Sequence, residues 1–142
     1  MNVEKILKNK GNWVATIQPA ATVADAVALL SRAKIGALVV SEDGDSVDGI
    51  LSERDIVSAL ARHPDLLSWS VGEVMTREVF ACDPSDTIGE LMAEMTNRRI
   101  RHFPVVADGR LCGIVSIGDL VKSRLDEVEF EANSLRSFIA GA

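Results

Sequence analysis

Two short elements of the chain have the residue types needed to hold a small ligand. Ser52-x-x-Asp55 and Ser116-x-x-Asp119 each place a carboxylate three residues after a hydroxyl. This spacing is typical of a helix N-cap, where serine accepts one orphan N–H and aspartate accepts another. The same end of a helix attracts anions, and a carboxylate there can bind both hydroxyls of a ribose. The spacing leaves both interpretations open, capping alone or capping together with ribose binding.

The most basic stretch of the chain lies between these two elements, from Arg98 to His102. Arg98 and Arg99 fit a solvated helix end, because cations are favoured at helix C-termini. Arg101 and His102 instead enter a predicted strand. Arginine binds phosphate well through its forked donors, so this stretch is the first candidate for an anion contact.

A tandem repeat relates the two Ser-x-x-Asp elements to each other. The copies are offset by 65 residues up to an Asp-Gly turn and by 64 after it, as a single deletion in a turn would produce. The clearest matching blocks are Val14–Pro19 with Val79–Pro84, Ile35–Val40 with Ile100–Val105, and Gly49–Asp55 with Gly113–Asp119.

Each copy follows the order β-α-β-β-α. A short strand precedes a proline, a capping box (Thr22-x-x-Asp25 or Thr87-x-x-Glu90) opens a helix, and an Asp-Gly turn joins the next two strands. The fold class is therefore predicted to be α/β (α+β), two β-α-β-β-α repeats with flanking helices. We divide the chain into an N-terminal helical segment (1–13), the first repeat (14–64), a connecting segment (65–78), the second repeat (79–125) and a C-terminal helix (126–142).

Both flanking segments have apolar faces that need a partner. The N-terminal one carries a short stripe that includes Ile6 and Leu7, and the C-terminal one places Val128, Ala132, Leu135 and Ile139 on one face. The acidic residues from Asp126 onward suit a helix N-terminus. We expect both faces to pack on the core or on a second subunit.

Composition excludes several classes of protein. Of 142 residues, 47% are hydrophobic, and the net charge of −6 has the wrong sign for a general nucleic-acid binder. No apolar run is long enough to span a membrane and no signal-peptide pattern opens the chain, so we expect a cytoplasmic protein. Two cysteines without a Cys-x-x-Cys motif suggest buried, reduced side chains. The two histidines have no cysteine or carboxylate at ligand spacing, which argues against a metal site. No nucleophile with a matching base stands out, so an enzyme is not expected.

The repeat resembles a tandem pair of cystathionine-β-synthase (CBS) domains, also called a Bateman module, of the stand-alone bacterial type. Ser-Glu-Arg-Asp-Ile-Val, Ile-Gly-Ala-Leu-Val-Val and Arg-Ile-Arg-His-Phe-Pro-Val-Val carry the resemblance, which runs from about Val14 to Leu125. It implies two units packed by their sheets about a pseudo-twofold axis, with two clefts between them. It also implies a homodimer and a ligand such as AMP, ADP, ATP, NAD(H) or S-adenosylmethionine.

The resemblance also assigns roles to residues. Asp55 and Asp119 would bind ribose while Ser52 and Ser116 cap their helices. Phosphates would contact Arg101 and His102 of the second copy. The matching residues of the first copy, Gly36 and Ala37, carry no charge, so Arg54 would supply the positive charge there. The two sites would therefore be unequal. The adenine slot would be formed by Thr16, Ile17, Ala81 and Cys82 of the first strands, with Ala37, Leu38 and Phe103 nearby. For each of these residues a place in the core is the alternative, because such side chains are buried in any case.

The leading interpretation is a non-catalytic sensor of adenine nucleotides that signals to a separate, unidentified effector protein. A structural dimerisation module with empty clefts is the first alternative, because Gly36, Ala37 and Gly118 stand where charged or larger residues occur in the other copy. An S-adenosylmethionine-binding module and an enzyme acting on nucleotides are further alternatives.

Overall fold

The computed structural model describes residues 1–141, and its elements follow the predicted order twice. The predicted α+β class is confirmed, with two β-α-β-β-α repeats packed about a pseudo-twofold axis. The helices and strands are α1 (Val3–Lys10), β1 (Thr16–Ile17), α2 (Val23–Ala33), β2 (Ala37–Val40), β3 (Gly49–Ser52), α3 (Glu53–Arg62), a 3-10 turn (Leu66–Ser68), α4 (Val71–Val74), α5 (Ile88–Arg98), β4 (His102–Ala107), β5 (Arg110–Ser116) and α6 (Ile117–Gly141).

The two sheets differ at the first strand. In the first repeat β1 pairs parallel with β2, and β2 pairs antiparallel with β3. In the second repeat β4 and β5 form an antiparallel pair with an irregularity between Val105 and Val106. The predicted first strand of this repeat is reduced to one parallel bridge from Cys82 to Val105. Cys82 is buried, and burial raises the pKa of its thiol to about 12, so it acts as a small core hydrophobe.

The connections within the two hairpins also differ. Asp108 and Gly109 both have positive φ, as a tight two-residue turn requires. The corresponding connection in the first repeat is a wider loop from Ser41 to Asp48, because the Asp43 carboxylate accepts hydrogen bonds from the amides of Asp45 and Ser46 and gathers the chain around itself. The hairpin predicted for the first repeat is confirmed by the antiparallel pairing of β2 and β3, but its connection is longer than the two-residue turn of the second repeat.

Three of the predicted capping boxes form in full, and one forms in part. The Thr22 hydroxyl accepts the Asp25 amide while the Asp25 carboxylate accepts the Thr22 amide, and both serine boxes are equally complete. Thr87 caps α5 through its hydroxyl, which accepts the Glu90 amide at 3.3 Å. Its box lacks the return bond within residues 1–141. An antiparallel bridge joins Thr87 to Asn2 through the Val3 amide, which donates to the Asp86 carbonyl oxygen, and the Ile88 amide, which donates to the Met1 carbonyl oxygen.

Each repeat is completed by the segment that precedes the other repeat. Helix α1 comes before the first repeat, yet Val3, Ile6 and Leu7 are buried in the core of the second. The connecting segment comes before the second repeat, yet Leu66 and Met75 are buried in the core of the first. The chain thus crosses over twice, and neither repeat has a closed core made only of its own residues.

Two glycines make these crossings possible. A Cβ on Gly49 would lie 2.6 Å from the Met75 sulfur and 2.8 Å from the Thr76 carbonyl oxygen. A Cβ on Gly113, the matching position, would lie 2.7 Å from a Leu7 methyl group. The glycine that opens each Gly-Ile-x-Ser phrase is therefore required by the close approach of the crossing segment.

Helix α6 departs from the predicted boundary at residue 126. It runs without a break from Ile117 to Gly141, so the acidic residues after Asp126 lie in its middle, not at a helix N-terminus. Every residue from Val128 to Gly141 is exposed, so this part does not pack on the core. Ala142, the last residue of the predicted C-terminal segment, lies outside the described residues.

Replacing Gly49 with alanine should destabilise the fold. The added methyl group meets a backbone oxygen that cannot move away cheaply, so we expect a loss of about 1–3 kcal/mol in the free energy of unfolding. Urea denaturation followed by circular dichroism, at one fixed protein concentration, measures it. Gly89→Ala is the matched control, because nothing lies within 4 Å of its added Cβ and alanine favours a helix, so stability should hold or rise. Equal effects of the two changes would contradict the crossing constraint.

Candidate functional site

Two clefts lie where the two repeats meet. The first contains Asp55 and has a volume of about 330 Å³ (the Asp55 cleft), and the second contains Asp119 and has a volume of about 320 Å³ (the Asp119 cleft). Both are lined by residues of both repeats. Gly36, Ala37 and His102 belong to both linings, so these three residues form the wall between the clefts.

The Asp55 cleft combines cations, carboxylates and apolar surface. Its cations are three arginines, its acids are three carboxylates, and its apolar surface comes mainly from the second repeat. These residues are Arg54, Arg99 and Arg101; Glu53, Asp55 and Glu78; and Val79, Phe80, Ile50 and Ile100.

The capping box at the head of α3 holds Asp55 in place and leaves part of it unused. Its Oδ2 accepts the Ser52 amide at 3.0 Å and the Thr76 hydroxyl at 3.5 Å. Within residues 1–141 its other oxygen, Oδ1, has no hydrogen-bond donor. Ser52 caps the helix by accepting the Asp55 amide at 3.1 Å. The capping interpretation is thus confirmed, and it leaves one carboxylate oxygen available.

The N-terminus of α3 offers few free amides to an anion. Of its first four amides, that of Ser52 is bonded to Asp55, that of Asp55 to Ser52, and that of Glu53 to the Gly36 carbonyl oxygen at 2.9 Å. Only the Arg54 amide lacks an acceptor among the described residues. An anion in this cleft would therefore depend mainly on side-chain cations.

The Asp119 cleft is built around an ion pair. Lys10, at the end of α1, places its Nζ 2.7 Å from Asp119 Oδ2 and donates a second bond to the Ile114 carbonyl oxygen at 2.9 Å. Burial alone would raise the pKa of Asp119, but the hydrogen bond and charge of Lys10 and the Ser116 amide lower it below the ordinary value. Asp119 therefore stays ionised at neutral pH.

In the Asp55 cleft, the place that Lys10 takes in the Asp119 cleft is occupied by Thr76. Ile50 corresponds to Ile114, and its carbonyl oxygen accepts the backbone amide of Thr76 at 2.9 Å, where Ile114 accepts the Lys10 side chain. A neutral hydroxyl therefore touches Asp55 while an ammonium group touches Asp119. The clefts are unequal, as the sequence predicted, but through the crossing segments as well as through Arg101 and Arg54.

His102 lies in the wall between the clefts and is held neutral. Burial lowers its pKa below the ordinary 6.5, and the positive charges of Lys10 and Arg101 lower it further, against smaller opposing effects of Asp119 and Glu53. At neutral pH it can therefore donate or accept a hydrogen bond but adds no positive charge. The expectation that His102 helps carry phosphate charge requires a bound anion to raise its pKa.

Arg98 and Arg99, which the sequence assigned to a solvated helix end, have different surroundings in the structure. Arg98 pairs with Glu94 at 2.6 Å and lies over the Phe80 ring, 3.8 Å from its centroid. Arg99 instead caps α5 with a positive φ of 55° and lines the Asp55 cleft. Lys34 caps α2 in the same conformation, with φ of 56°, and lines the Asp119 cleft.

The residues predicted for the adenine slot are divided between the clefts and the cores. Ala37 lines both clefts, as does Gly36, which matches the predicted phosphate position Arg101 of the second repeat. Ile17, Cys82 and Phe103 are buried in the cores, because their strands turn these side chains toward the helices. Thr16 and Ala81 also lie outside both linings. The side chains that line the clefts lie earlier in the chain, and a slot on these residues stays a prediction.

The sequence analysis missed the residues that take those places. Val79 and Phe80 line the Asp55 cleft, and Trp13 and Ala15 line the Asp119 cleft. The repeat offset of 65 pairs Phe80 with Ala15, but it pairs Val79 with Val14 and Trp13 with Glu78. The side chains that face a cleft depend on the pleat of the short first strands. Lys10 gave no signal, because it reaches its cleft only through the crossing of α1.

A family model identifies the repeats. The CBS domain model matches residues 14–62 and 71–126. The chain belongs to the CBS-domain family. Within residues 1–141 no helix is long and apolar enough to cross a membrane, and no cluster of three or more histidine, cysteine or acidic side chains could hold a metal ion.

Relatives and solved structures agree with this assignment. The chain is 33% identical to the mitochondrial CBS domain-containing protein CBSX3 of Arabidopsis thaliana, over 98% of this chain and 72% of the relative. It matches the crystal structure of the CBS-domain protein ATU1752 of Agrobacterium tumefaciens with a TM-score of 0.83 and 43% identity, over 87% of this chain and 92% of the other. It also matches the CBS domain pair of protein MJ0100, solved in complex with 5′-methylthioadenosine and S-adenosyl-L-methionine, with a TM-score of 0.77 and 27% identity, over 88% and 98%.

The depressed pKa of His102 makes stability depend on pH. A histidine that is harder to protonate when folded leaves the unfolded chain binding more protons, so its contribution is present above pH 6.5 and is lost as the pH falls below that value. In His102→Gln the fall in unfolding free energy between pH 7 and pH 5 should be smaller than in the unchanged chain. Urea denaturation across this range measures it, and an NMR titration of His102 at or above pH 6.5 would contradict it.

Proposed function

We propose that this chain is a non-catalytic regulatory module that binds an adenine nucleotide between its two repeats and works as a homodimer. AMP, ADP, ATP and NAD(H) are the candidate ligands, which makes the module a sensor of energy or redox state. One observation carries the proposal, the gathering of three arginines beside the Asp55 carboxylate and a half-buried apolar surface in one cleft. CBS-domain pairs generally bind adenosine-based ligands, and the pair of protein MJ0100 does so.

The carboxylate of Asp55 suits a ribose. Its Oδ2 is engaged by Ser52 and Thr76, which fix its orientation, and its Oδ1 has no donor within residues 1–141. Ribose hydroxyls are hydrogen-bond donors, and a fixed carboxylate accepts them without losing side-chain freedom on binding. In this proposal Ser52 caps α3, whereas Asp55 both takes part in the cap and binds the ribose.

The apolar part of the cleft suits an adenine ring. Val79, Phe80 and Ile100 are each half-buried, so part of their surface remains in contact with water. A planar base would cover that surface, and burial of apolar area is worth about 25 cal/mol per Å². Arg98 over Phe80 keeps the ring in place from the surface side.

The arginines suit phosphates. Arg54, Arg99 and Arg101 are exposed, and none has a carboxylate within 4.0 Å among the described residues. Their guanidinium groups are therefore available for the forked hydrogen bonds that phosphate accepts. The three carboxylates of the same cleft balance these charges in its unliganded state, so a nucleotide phosphate would replace water and not an existing ion pair.

Binding would report on the arrangement of the repeats. Asp55 and Arg54 belong to the first repeat while Arg99 and Arg101 belong to the second, so a nucleotide would connect them. A ligand shifts the population of two arrangements by its difference in affinity for them. In this way occupancy of the cleft would change the surface that a separate effector protein recognises.

S-adenosylmethionine is the second candidate ligand. The complex of protein MJ0100 contains it, and Glu53 and Glu78 place two further carboxylates in the Asp55 cleft that suit its positive charges. A ligand without phosphate would leave the three arginines unused. This is why we favour the nucleotides.

A thermal-shift series should show stabilisation by an adenine nucleotide. A ligand at about 100 times its Kd adds about 2.7 kcal/mol to the free energy of unfolding, which gives a clear rise in Tm. The series consists of AMP, ADP, ATP, NAD, NADH, S-adenosylmethionine and adenosine, each at millimolar concentration. No shift with any of them would sink the proposal and favour a structural dimerisation module with empty clefts.

Two substitutions should then show which cleft is filled. Asp55→Asn keeps an acceptor for the Ser52 amide but removes the charge that binds ribose, so the affinity should fall about tenfold. Asp119→Asn makes the same change in the other cleft, and isothermal titration measures both. The cleft in use is the one whose variant binds more weakly, and equal affinity of both variants and the unchanged chain would contradict ribose binding by these aspartates.

If Arg101 contacts a phosphate, the loss of affinity on replacing it should depend on whether the ligand has phosphates. Arg101→Gln should weaken ATP binding by about tenfold and leave adenosine binding nearly unchanged, because adenosine has no phosphate. Arg32→Gln, on the exposed side of α2, is the control with the same change of charge. If both variants weaken ATP equally, the effect comes from the overall field of the protein and not from a contact.

A further inference from the structure

The part of α6 beyond the folded body carries apolar side chains with no partner. Leu135 is 59% exposed, Phe138 75% and Ile139 66%, and all residues from Val128 to Gly141 are exposed. A soluble protein seldom leaves so many large apolar groups of one helix in water unless that surface binds something.

Six apolar side chains of α6 follow a heptad, whereas the exposed Phe130 and Phe138 lie outside it. Their spacing alternates between four and three residues, which is the a and d pattern of a coiled coil. We take Leu125 as the first a position. The a and d positions are then Val121, Leu125, Val128, Ala132, Leu135 and Ile139.

The charged residues beside this stripe select an orientation for a second copy. In a parallel, in-register pair of helices each g position faces the e position five residues later in the partner. Arg124 would face the partner's Glu129, and Glu131 would face the partner's Arg136. Both pairs have opposite charges, and the twofold axis forms each of them twice.

An antiparallel pair would bring like charges together. With Val128 packed against the partner's Ala132, e positions face e positions and g positions face g positions. Glu129 would meet the partner's Glu129, and Glu131 would meet the partner's Glu131. Like charges across such a seam are unfavourable, so the sequence of α6 favours the parallel arrangement.

We propose that α6 binds the α6 of a second copy of this chain as a parallel, two-stranded coiled coil from Val121 to Ile139. The proposal deepens the homodimer of the proposed function by assigning its surface, and it does not depend on any ligand. Arg124 donates one bond to Glu127 of its own helix at 3.0 Å, and its remaining N–H groups can reach the partner. Small Ala132 lets the two backbones approach at the centre of the seam.

Cysteine cross-linking tests the orientation and the register together. A parallel, in-register pair brings the two copies of residue 132 face to face, whereas residue 133 points outward at a b position. In the full chain, Ala132→Cys should form a disulfide-linked dimer under mild oxidation at least about tenfold faster than Asn133→Cys. The unchanged chain, with Cys82 and Cys112, gives the background. Equal rates for the two variants would overturn the proposal, as would a faster link between Ala132→Cys and Val128→Cys chains, which only an antiparallel pair predicts.

Charge inversion tests the pairing of e and g positions. Glu131→Arg alone and Arg136→Glu alone each turn two attractive contacts into repulsive ones, so the dimer Kd from sedimentation equilibrium should rise about tenfold. Combining both changes in one chain should restore the Kd, and so should mixing the two single variants. Asp126→Arg makes the same charge change at a b position and should leave the Kd within about twofold. The coiled coil would be overturned if the single variants dimerise as well as the unchanged chain does. It would also be overturned if the unchanged chain is still monomeric at a concentration of about 100 μM. Nucleotide-dependent thermal shifts would persist in either case, which separates this failure from failure of the proposed function.

Discussion

The crossing of the chain between its two repeats is the constraint on which the rest of the structure depends. Leu7 lies against Gly113 of the second repeat, and Met75 lies against Gly49 of the first. Each core is closed by the segment that precedes the other repeat in the chain. The chain therefore passes twice from one core to the other, which keeps the two repeats side by side around the clefts.

The crossing also explains why two similar repeats make two different clefts. The connecting segment brings the backbone of Thr76 and the carboxylate of Glu78 to the Asp55 cleft, whereas α1 brings Lys10 to the Asp119 cleft. Lys10 already neutralises Asp119 at 2.7 Å, while Asp55 has only neutral partners within the described residues. A ligand that needs a free carboxylate and free cations therefore finds them together in the Asp55 cleft.

The two interpretations of the Ser-x-x-Asp elements turn out to be compatible. The serine hydroxyl and one carboxylate oxygen complete the cap of the helix, and this uses most of the amides that an anion could have bound. The helix end is therefore less of an anion site than its position suggests. Its role is to hold Asp55 and Arg54 at the cleft, where the aspartate keeps one oxygen and the arginine keeps its whole guanidinium group.

The sequence by itself determined the repeat, the order of elements, the capping serines and the two aspartates. These depend on spacing along one helix or hairpin, and local hydrogen bonds impose that spacing. It also placed Arg54, Arg101 and His102 correctly at a cleft, through resemblance to the family. Only the tertiary structure decided that Val79, Phe80 and Trp13 line the clefts while Ile17, Cys82 and Phe103 lie in the cores. The side of a two-residue strand that faces a cleft, and the repeat that a flanking helix completes, depend on packing between segments far apart in the chain, which no local pattern records.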